Sequence, residues 1–295
     1  MTAFAPASTL RALLDVGQMI VAPGAMDCIT ARLIEHAGFP AVYMTGAGTS
    51  LSLGYPDYGL ITMSEMVANA SRIVQSIKVP LISDADTGYG NELNVYRTVQ
   101  EFERAGVAAI HIEDQVFPKK CGHVDDKELV SEDDFVRKIR AAVSARRSRE
   151  FCVIARTDAR GVIGLDAAIS RANAALAAGA DMAFVEAPRS IEEMAAIPRQ
   201  VKGPCLLNIV RGGKSPEIGL EQAAEMGYAM TILPGLLVGS IISHCERVLE
   251  ETLKVQAQPP SLQMPSPAST FAKFGAAEWD LRRTAFHQPA PAVEA

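Results

Sequence analysis

The sequence has few of the features that mark membrane, secreted or nucleic-acid-binding proteins. No apolar run reaches the length of about 20 residues that a membrane-spanning helix needs, and the opening residues, MTAFAPASTLRALLD, lack a basic start followed by an apolar stretch. The formal net charge is −6 and the Lys and Arg residues are scattered, which excludes a strongly basic surface for nucleic acid or anionic lipid. We expect a cytoplasmic protein with no nucleic-acid or membrane partner.

Cysteine and tryptophan are scarce, with five and one among the 295 residues. The cysteines are odd in number and widely spaced in a chain long enough to bury a large core, so a disulfide framework is not expected. A glycine-rich dinucleotide-binding turn is also missing after the first apolar run. Four of the cysteines are expected to be ordinary buried thiols, namely Cys28, Cys152, Cys205 and Cys245.

Short runs rich in Val and Ile alternate with longer segments of helical period between residues 19 and 255. Eight such runs with intervening helices predict a (β/α)8 TIM barrel over residues 1–255. An open, doubly wound sheet is the rival, and the missing glycine-rich turn argues against it. The predicted strands cover residues 19–25, 41–46, 79–86, 108–114, 151–159, 182–187, 204–210 and 229–234, and the predicted helices include 94–106, 131–147, 165–179 and 190–201.

The last part of the chain, residues 256–295, reads as a Pro-rich linker followed by one amphipathic helical segment, TFAKFGAAEWDLRR. Exposure of its large apolar side chains to solvent would be unfavourable, so we expect the segment to dock on its own barrel or on a neighbouring subunit. These side chains are Phe271, Phe274, Trp279 and Leu281.

Carboxylates cluster where the predicted strands end. Asp84 and Asp86 end the third strand, Glu113 and Asp114 end the fourth, and Asp57 lies in the loop after the second. Taken singly, each is most simply a helix cap, a turn residue or an ion-pair partner. As a set at one barrel mouth they would repel one another unless protons or a cation compensated them. Their hard oxygens favour Mg²⁺ or Mn²⁺.

The loop over 117–130 places Lys119, Lys120, Cys121 and His123 together. Neighbouring cations lower a thiol pKa, which would let Cys121 exchange protons near neutral pH. A zinc site at Cys121 and His123 is the competing chemistry, but it would need further soft ligands nearby. A plain exposed loop with solvated lysines remains the simplest alternative.

Further polar residues end the later strands. Arg156 and Asp158 end the fifth, Glu186 ends the sixth, and Asn208 and Arg211 flank the end of the seventh. A guanidinium there offers a planar fork for a substrate carboxylate, although an Arg paired with an acid of the barrel rim would look the same in sequence. A small-residue turn over 45–48 could hold a carboxylate on its backbone N–H groups.

Together these segments resemble the isocitrate lyase/phosphoenolpyruvate mutase superfamily over residues 19–255. KKCGH is the most specific of them, because it is the signature of the lyase branch and the mutase branch lacks this cysteine. The matching segments are YMTGAGTS (43–50), DADTGYG (84–90), HIEDQ (111–115), KKCGH (119–123), ARTDAR (155–160), FVEAP (184–188) and NIVRGGKSP (208–216).

The resemblance implies a Mg²⁺ site, with Mn²⁺ as the alternative ion. Asp86 would hold the metal directly, and Asp57, Asp84 and Glu113 would act directly or through water. The substrate implied is a small 2-hydroxy di- or tricarboxylate, either a 2-alkylmalate or a methylisocitrate-like acid. The substrate-binding residues implied are Thr45, Gly46, Ala47, Asp84, Gly122, Glu186, Asn208 and Arg211.

The reaction implied is a retro-aldol cleavage to an α-keto acid and a carboxylic acid. Tyr43 is the implied base at the hydroxyl, and Cys121 is the acid for the enediolate of the second product. His123 and Arg156 would arrange the loop and the departing carboxylate. Glu113 and Lys119 complete the implied catalytic set. The resemblance also implies a homotetramer, a dimer of dimers that exchanges C-terminal helices.

Three positions depart from particular branches of the superfamily. Gly239 stands where methylisocitrate-cleaving relatives usually carry Arg, and Arg211 stands where the 2-alkylmalate branch often carries Glu. Val162 stands where oxaloacetate hydrolases carry a characteristic Ser, which favours a lyase. An oxaloacetate decarboxylase or hydrolase, or a phosphonopyruvate-type C–P enzyme, is the alternative activity. A barrel that has lost catalysis and serves as a scaffold is the non-enzymatic alternative.

Overall fold

The computed structural model describes residues 5–259 and 264–287. The chain divides into two compact units, Met1–Ile241 and Ile242–Ala295. The division falls inside a long helix, whereas the sequence placed the limit of the barrel at residue 255, where that helix ends. The two units are described separately below.

The first unit is a closed barrel of eight parallel strands in which each strand pairs with its sequence neighbours and the last pairs with the first. Closure confirms the predicted (β/α)8 barrel and excludes the open sheet. The strands are β1 Ile20–Ala25, β2 Val42–Met44, β3 Leu81–Asp84, β4 Ala109–Glu113, β5 Cys152–Thr157, β6 Met182–Val185, β7 Cys205–Asn208 and β8 Met230–Leu233.

Helices follow the strands and cover the outside of the barrel. They are α1 Pro6–Asp15, α2 Cys28–His36, α3 Gly46–Ser52, α4 Met63–Ser76, α5 Glu92–Arg104, α6 Glu132–Ala145, α7 Ala159–Val162, α8 Leu165–Ala177, α9 Ile191–Gln200, α10 Leu220–Glu225 and α11 Leu236–Val255, which crosses into the second unit.

Polar side chains cap the N-termini of several of these helices. The Asp27 side chain accepts from the Thr30 backbone N–H, and Thr62 and Glu65 form a reciprocal capping box. Asn91 caps α5 in the same way. These bonds satisfy N–H groups that a helix start leaves open, so each connection has a defined end point.

The barrel interior is a packed apolar core that forms the floor beneath the carboxyl ends of the strands. Tyr43, Ile82, Ile154 and Phe184 belong to this buried cluster, together with Leu206. A second cluster packs strands β2 to β4 against their covering helices. Because the interior is largely filled by apolar side chains, the charged side chains gather at the rim, as in other barrels of this type.

The strands end earlier than the sequence predicted. The predicted strand over 79–86 is a strand only over Leu81–Asp84, and the predicted strand over 151–159 ends at Thr157. Asp86 lies beyond the ladder with φ of 46°, in the left-handed region that few residues other than glycine adopt. The prediction that Asp86 ends the third strand is therefore wrong, because that strand ends at Asp84.

The second unit contains two short helices, α12 Pro267–Lys273 and α13 Ala276–Phe286. The single predicted helical segment is broken at Gly275, which adopts φ of 84°. Phe271, Trp279 and Leu281 are exposed. Within residues 5–259 and 264–287, no helix is both long and apolar enough to cross a membrane.

Candidate active site

The carboxyl ends of the strands surround a cavity of about 120 Å³ that gathers most of the predicted site residues. Val210, Pro234, Gly235 and Val238 add an apolar wall. Gly46, Asp86, Glu113 and Lys119 lie behind residues of the lining, which they contact. The predicted residues in the lining are Tyr43, Thr45, Ala47, Asp57, Asp84, Cys121, Gly122, His123, Arg156, Glu186 and Asn208.

The small-residue turn is the start of α3. The Thr45 hydroxyl accepts from the Gly48 N–H at 3.2 Å and so caps the helix. A Cβ at position 46 would collide with Oδ2 of Asp84, so only glycine lets this carboxylate approach the turn. The turn and the acid at the end of β3 thus form one wall of the cavity.

Lys119 lies between two of the predicted metal ligands. Its Nζ is 3.0 Å from Oδ1 of Asp86 and contacts Oδ1 of Asp57. Asp84 is held differently, because its Oδ1 accepts the Asp86 backbone N–H at 2.9 Å. In the described part of the chain, no three His, Cys, Asp or Glu side chains form a ready-made metal cage. The four predicted metal ligands therefore share one mouth without being preassembled.

The acids at this mouth are buried and only partly compensated. Nζ of Lys119 lies 3.0 Å from Oδ1 of Asp86 and Nη1 of Arg156 lies 3.0 Å from Oε2 of Glu113, whereas Oε1 of Glu113 is buried without a hydrogen-bond partner. Burial raises the pKa of Asp86 to about 6, with Lys119 opposing it, and burial raises the pKa of Glu113 well above its ordinary value. Several buried hard oxygens at one mouth fit a divalent cation that keeps some of its waters.

Tyr43 has a buried partner that the sequence reasoning missed. Its hydroxyl is 2.8 Å from Nε2 of His111, and the two rings stack with centroids 5.7 Å apart. Nδ1 of His111 lies 3.7 Å from Oδ1 of Asp84. Burial lowers the pKa of His111 to about 4, so the imidazole is neutral. His111 stands two residues before Glu113 in HIEDQ, and strand alternation could have placed both on the inner face.

Arg156 is shared among carboxylates of the protein. Its Nη1 lies 3.0 Å from Glu113, its Nε lies 3.0 Å from Asp158, and its Nη2 lies 3.6 Å from Glu186. The guanidinium also sits over the Phe184 ring at 5.3 Å. The alternative of an Arg paired with rim acids therefore describes most of its donors, and its implied role at the departing carboxylate stays a prediction. Its place in the cavity wall is as predicted.

Cys121 lines the cavity as a half-buried thiol. Burial raises its pKa, and a hydrogen bond from the His123 backbone opposes the shift only in part. The expected lowering by neighbouring lysines is wrong, because Lys119 points to Asp57 and Asp86 instead. The thiol is therefore protonated at neutral pH, which is the state that an acid requires.

The loop that carries Cys121 is tied to the barrel on both sides. The Gln115 amide donates to the Lys120 carbonyl at 2.9 Å and accepts the Lys120 N–H at 3.0 Å. Farther along, Nζ of Lys127 lies 3.0 Å from Asp158 and also donates to the Gly122 carbonyl. The alternative of a plain exposed loop is excluded by these contacts.

His123 connects two loops and Glu186. Its Nδ1 accepts the Lys214 backbone N–H at 3.0 Å, so the ring proton belongs on Nε2, which lies 3.2 Å from Oε1 of Glu186. Asn208 donates to the same carboxylate at 3.1 Å. Since both ring nitrogens are engaged, the zinc alternative has no free ligand at His123. A Cβ at Gly122 would lie 2.5 Å from Cγ of Glu186, so the loop needs glycine there.

Three residues do not join the cavity. The Arg211 side chain is 91% exposed, lies 3.4 Å from Glu217 and does not line this cavity, so its substrate-binding role stays a prediction. Asp114 accepts from Thr157 at 2.7 Å and pairs with Arg171 at 3.1 Å, as a structural acid. Val162 is exposed and outside the lining, and so its identity does not distinguish a lyase from a hydrolase.

A closed (β/α)8 barrel with buried acids, a guanidinium and a protonated thiol at one mouth defines a barrel enzyme for small acids. The chain belongs to the phosphoenolpyruvate phosphomutase family, whose profile matches residues 10–253. The superfamily inferred from the sequence is therefore confirmed.

Two relatives carry functional names. The chain is 51% identical over 229 residues to the 2,3-dimethylmalate lyase of Eubacterium barkeri, covering 77% of this chain and 79% of the relative. It is 47% identical over 253 residues to the 2-methylisocitrate lyase of Aeropyrum pernix, covering 86% and 82%. These relatives bear out the predicted enzyme class, a carbon–carbon lyase.

Solved structures show the same fold over nearly the whole chain. An oxaloacetate acetylhydrolase bound to 3,3-difluorooxalacetate matches with a TM-score of 0.93 and 36% identity, covering 98% of this chain and 99% of that one. A 2,3-dimethylmalate lyase matches with a TM-score of 0.92 and 38% identity, covering 100% and 99%. A phosphonopyruvate hydrolase with oxalate and Mg²⁺ matches with a TM-score of 0.84 and 30% identity, covering 95% and 97%.

Proposed function

We propose that this protein is a Mg²⁺-dependent lyase that cleaves the C2–C3 bond of an alkyl-substituted malate. The observation that carries the proposal is the protonated Cys121 thiol in one cavity with Tyr43 and the acid-rich mouth. The hydroxyl proton leaves, the C2–C3 bond breaks, and its electron pair passes to C3 as an enediolate. C3 then takes the thiol proton, which gives an α-keto acid and a carboxylic acid.

Asp86 and Glu113 supply the buried carboxylate oxygens that would hold the metal, with Asp84 and Asp57 beside them. A bound Mg²⁺, or Mn²⁺, would neutralise the α-carboxylate and the hydroxyl oxygen of the substrate. The phosphonopyruvate hydrolase structure with oxalate and Mg²⁺ supports this assignment. The N–H groups at the start of α3, next to Thr45, would hold the same carboxylate.

Tyr43 can act as the base only if its phenolic proton passes to another group. Burial raises the pKa of Tyr43 well above its ordinary value, so the phenol is protonated. Nε2 of His111, 2.8 Å away, can accept that proton as the substrate hydroxyl proton reaches Oη. An N–H at Nδ1 would face Asp84, which leaves Nε2 as the acceptor. His111 is thus the proposed partner of the base.

The experiment is a pyruvate-release assay with 2,3-dimethylmalate and Mg²⁺, coupled to lactate dehydrogenase. We expect turnover that disappears with EDTA, returns with Mg²⁺, and falls about 10²- to 10⁴-fold in Cys121→Ser. Cys245→Ser, at an exposed cysteine of the second unit, is the matched control and should keep full activity. Undiminished turnover in both EDTA and Cys121→Ser would contradict the proposal.

The competing activities are separated in the same assay. Oxaloacetate would yield oxalate and acetate from a hydrolase, or pyruvate and CO₂ from a decarboxylase, and phosphonopyruvate would yield phosphate from a C–P enzyme. We expect each of these substrates to turn over much more slowly than the substituted malate. Faster turnover of oxaloacetate would instead assign the activity named for the oxaloacetate acetylhydrolase that matches with a TM-score of 0.93.

We also propose a cytoplasmic homotetramer. The exposed Phe271, Trp279, Leu281 and Phe286 of α12 and α13 support an apolar contact with another subunit. Light scattering coupled to size exclusion should give four times the 31.5 kDa chain mass. A monomer in solution would contradict this assembly.

A further inference from the structure

A second cavity, of about 410 Å³, adjoins the catalytic cavity. Val210 and Gly235 line both, so the two spaces share a wall at the ends of β7 and β8. The residues that line it all precede Ile241 and so belong to the first unit. Its volume exceeds that of the catalytic cavity, which indicates room for a substrate group beyond the reacting atoms.

The walls of this second cavity combine aliphatic side chains with three polar ones, Arg211, Glu217 and Ser240. Ile209, Ile218, Leu233 and Leu236 line it together with Val210. A hydrocarbon group leaving water for such walls gains free energy in proportion to the apolar area that it buries.

The polar groups of the lining already have partners. The Ser240 hydroxyl donates to the Leu236 carbonyl at 2.6 Å, within the first turn of α11. Arg211 Nε lies 3.4 Å from Glu217, which compensates the charge of the guanidinium. A substrate carboxylate here would face Glu217 as well as Arg211, so the cavity favours an uncharged occupant.

Two glycines keep the space open. A Cβ at Gly235 or Gly239 would meet no heavy atom within 4 Å, and neither glycine has a positive φ. Gly239 lies inside α11, where glycine costs about 1 kcal/mol relative to alanine. The fold does not require glycine at either position, and the missing side chains leave the cavity wider.

The position of the cavity shows which part of a substrate reaches it. The carboxylates proposed to hold the metal and the α-oxygens follow β2, β3 and β4, whereas the second cavity lies at the ends of β7 and β8. The loop that carries Cys121 contacts the segment after β7, where the Lys214 N–H donates to Nδ1 of His123 at 3.0 Å. The half of the substrate that is protonated by the thiol therefore lies nearer to the second cavity.

We propose that the second cavity holds an uncharged alkyl group longer than methyl on C3 of the substrate, the carbon that Cys121 protonates. This inference rests on the proposed lyase function and specifies its substrate class as 2-methyl-3-alkylmalates. Cleavage of the C2–C3 bond moves the hydroxyl proton to Tyr43, whose own proton passes to Nε2 of His111, and moves the thiol proton to C3. The products are pyruvate and an unbranched carboxylic acid longer than propionate.

The experiment measures pyruvate release from 2-methylmalates that carry methyl, ethyl, propyl or butyl at C3. Every homologue yields pyruvate, so one coupled assay serves the whole series. In the native enzyme with Mg²⁺, kcat/KM should rise from methyl to propyl by roughly fourfold per methylene, the factor expected for burial of one CH₂. Gly239→Leu fills the cavity and should lower kcat/KM for the propyl compound at least tenfold more than for the methyl compound.

Gly219→Leu is the matched control. Gly219 has the same open surroundings and no positive φ, but it lines neither cavity, so the slope of the series should be that of the native enzyme. Melting temperatures of both variants show that the folds are intact.

The outcomes distinguish the two proposals. If no homologue yields pyruvate, the proposed lyase function is overturned, and the inference about the second cavity is overturned as well. Turnover that stays flat or declines with chain length overturns the alkyl pocket alone. Preferred turnover of 2-methylisocitrate that is lost in Arg211→Gln would also overturn it, because the cavity would then bind a third carboxylate.

Discussion

The Tyr43 hydroxyl lies 2.8 Å from Nε2 of His111, and both side chains are buried in the barrel interior. The contact joins the inner faces of β2 and β4, which are 68 residues apart in sequence at this pair. The contact gives the Tyr43 phenol a defined proton acceptor, and Tyr43 lines the catalytic cavity.

The first prediction concerns this contact. His111→Gln keeps a polar group of similar reach but cannot take a proton, so kcat should fall about 10²-fold with little change in KM. Steady-state kinetics of 2,3-dimethylmalate cleavage give the two constants separately. If the pair works as a unit, the double variant with Tyr43→Phe loses no more than the worse single variant. Additive losses, or a rise in KM alone, would remove His111 from the proton path.

The second prediction is a pH dependence. An acid works in its protonated form, and burial raises the pKa of Cys121, so the active form persists to higher pH. The alkaline decline of kcat should therefore lie above about 8.5, where an exposed thiol ionises. Alkylation of Cys121 by iodoacetamide, followed by peptide mass spectrometry across pH, should show the same midpoint. Fast alkylation at pH 6 would instead indicate a thiol activated by the lysines.

The third prediction concerns the Lys119 ammonium, which lies between Asp57 and Asp86. Lys119→Met leaves Asp57 and Asp86 facing each other without the ammonium, so the free energy of unfolding should fall by about 3–5 kcal/mol without added metal. Added Mg²⁺ should raise the melting temperature of this variant more than that of the native protein. Lys254→Met removes an exposed pair with Glu250 and should leave the free energy of unfolding nearly unchanged. An equal response of Lys119→Met and native protein to Mg²⁺ would count against a metal beside these acids.

The fourth prediction concerns the glycine of the thiol loop. A Cβ at position 122 would lie 2.5 Å from Cγ of Glu186 and 2.6 Å from Nη2 of Arg156, so Gly122→Ala must displace the loop or the ion pair. Activity should fall about 10²-fold, since small misplacements of catalytic groups have effects of that size, while the barrel still unfolds cooperatively. Gly219→Ala, which meets no atoms, is the matched control. Full activity of Gly122→Ala would show that the loop tolerates the shift.

Much of the site could be predicted because a parallel barrel brings the carboxyl ends of its strands to one face. Asp84, Glu113, Arg156, Glu186 and Asn208 all end strands, and reading them in order was enough to place them together. The loop residues Cys121 and His123 were placed by their motif. The protonation state of Cys121 was not predicted, because burial raises the thiol pKa and sequence neighbours do not reveal burial.

The sequence by itself determined the eight βα units, the closed barrel and the set of side chains at its mouth, because the 2-residue and 3.6-residue periods are local properties of the chain. Only the tertiary structure decided which charges meet. It placed Lys119 between Asp57 and Asp86, shared Arg156 among carboxylates, and left Arg211 in solvent. Such pairings depend on the paths of loops and on the burial of groups far apart in sequence, which no local pattern encodes.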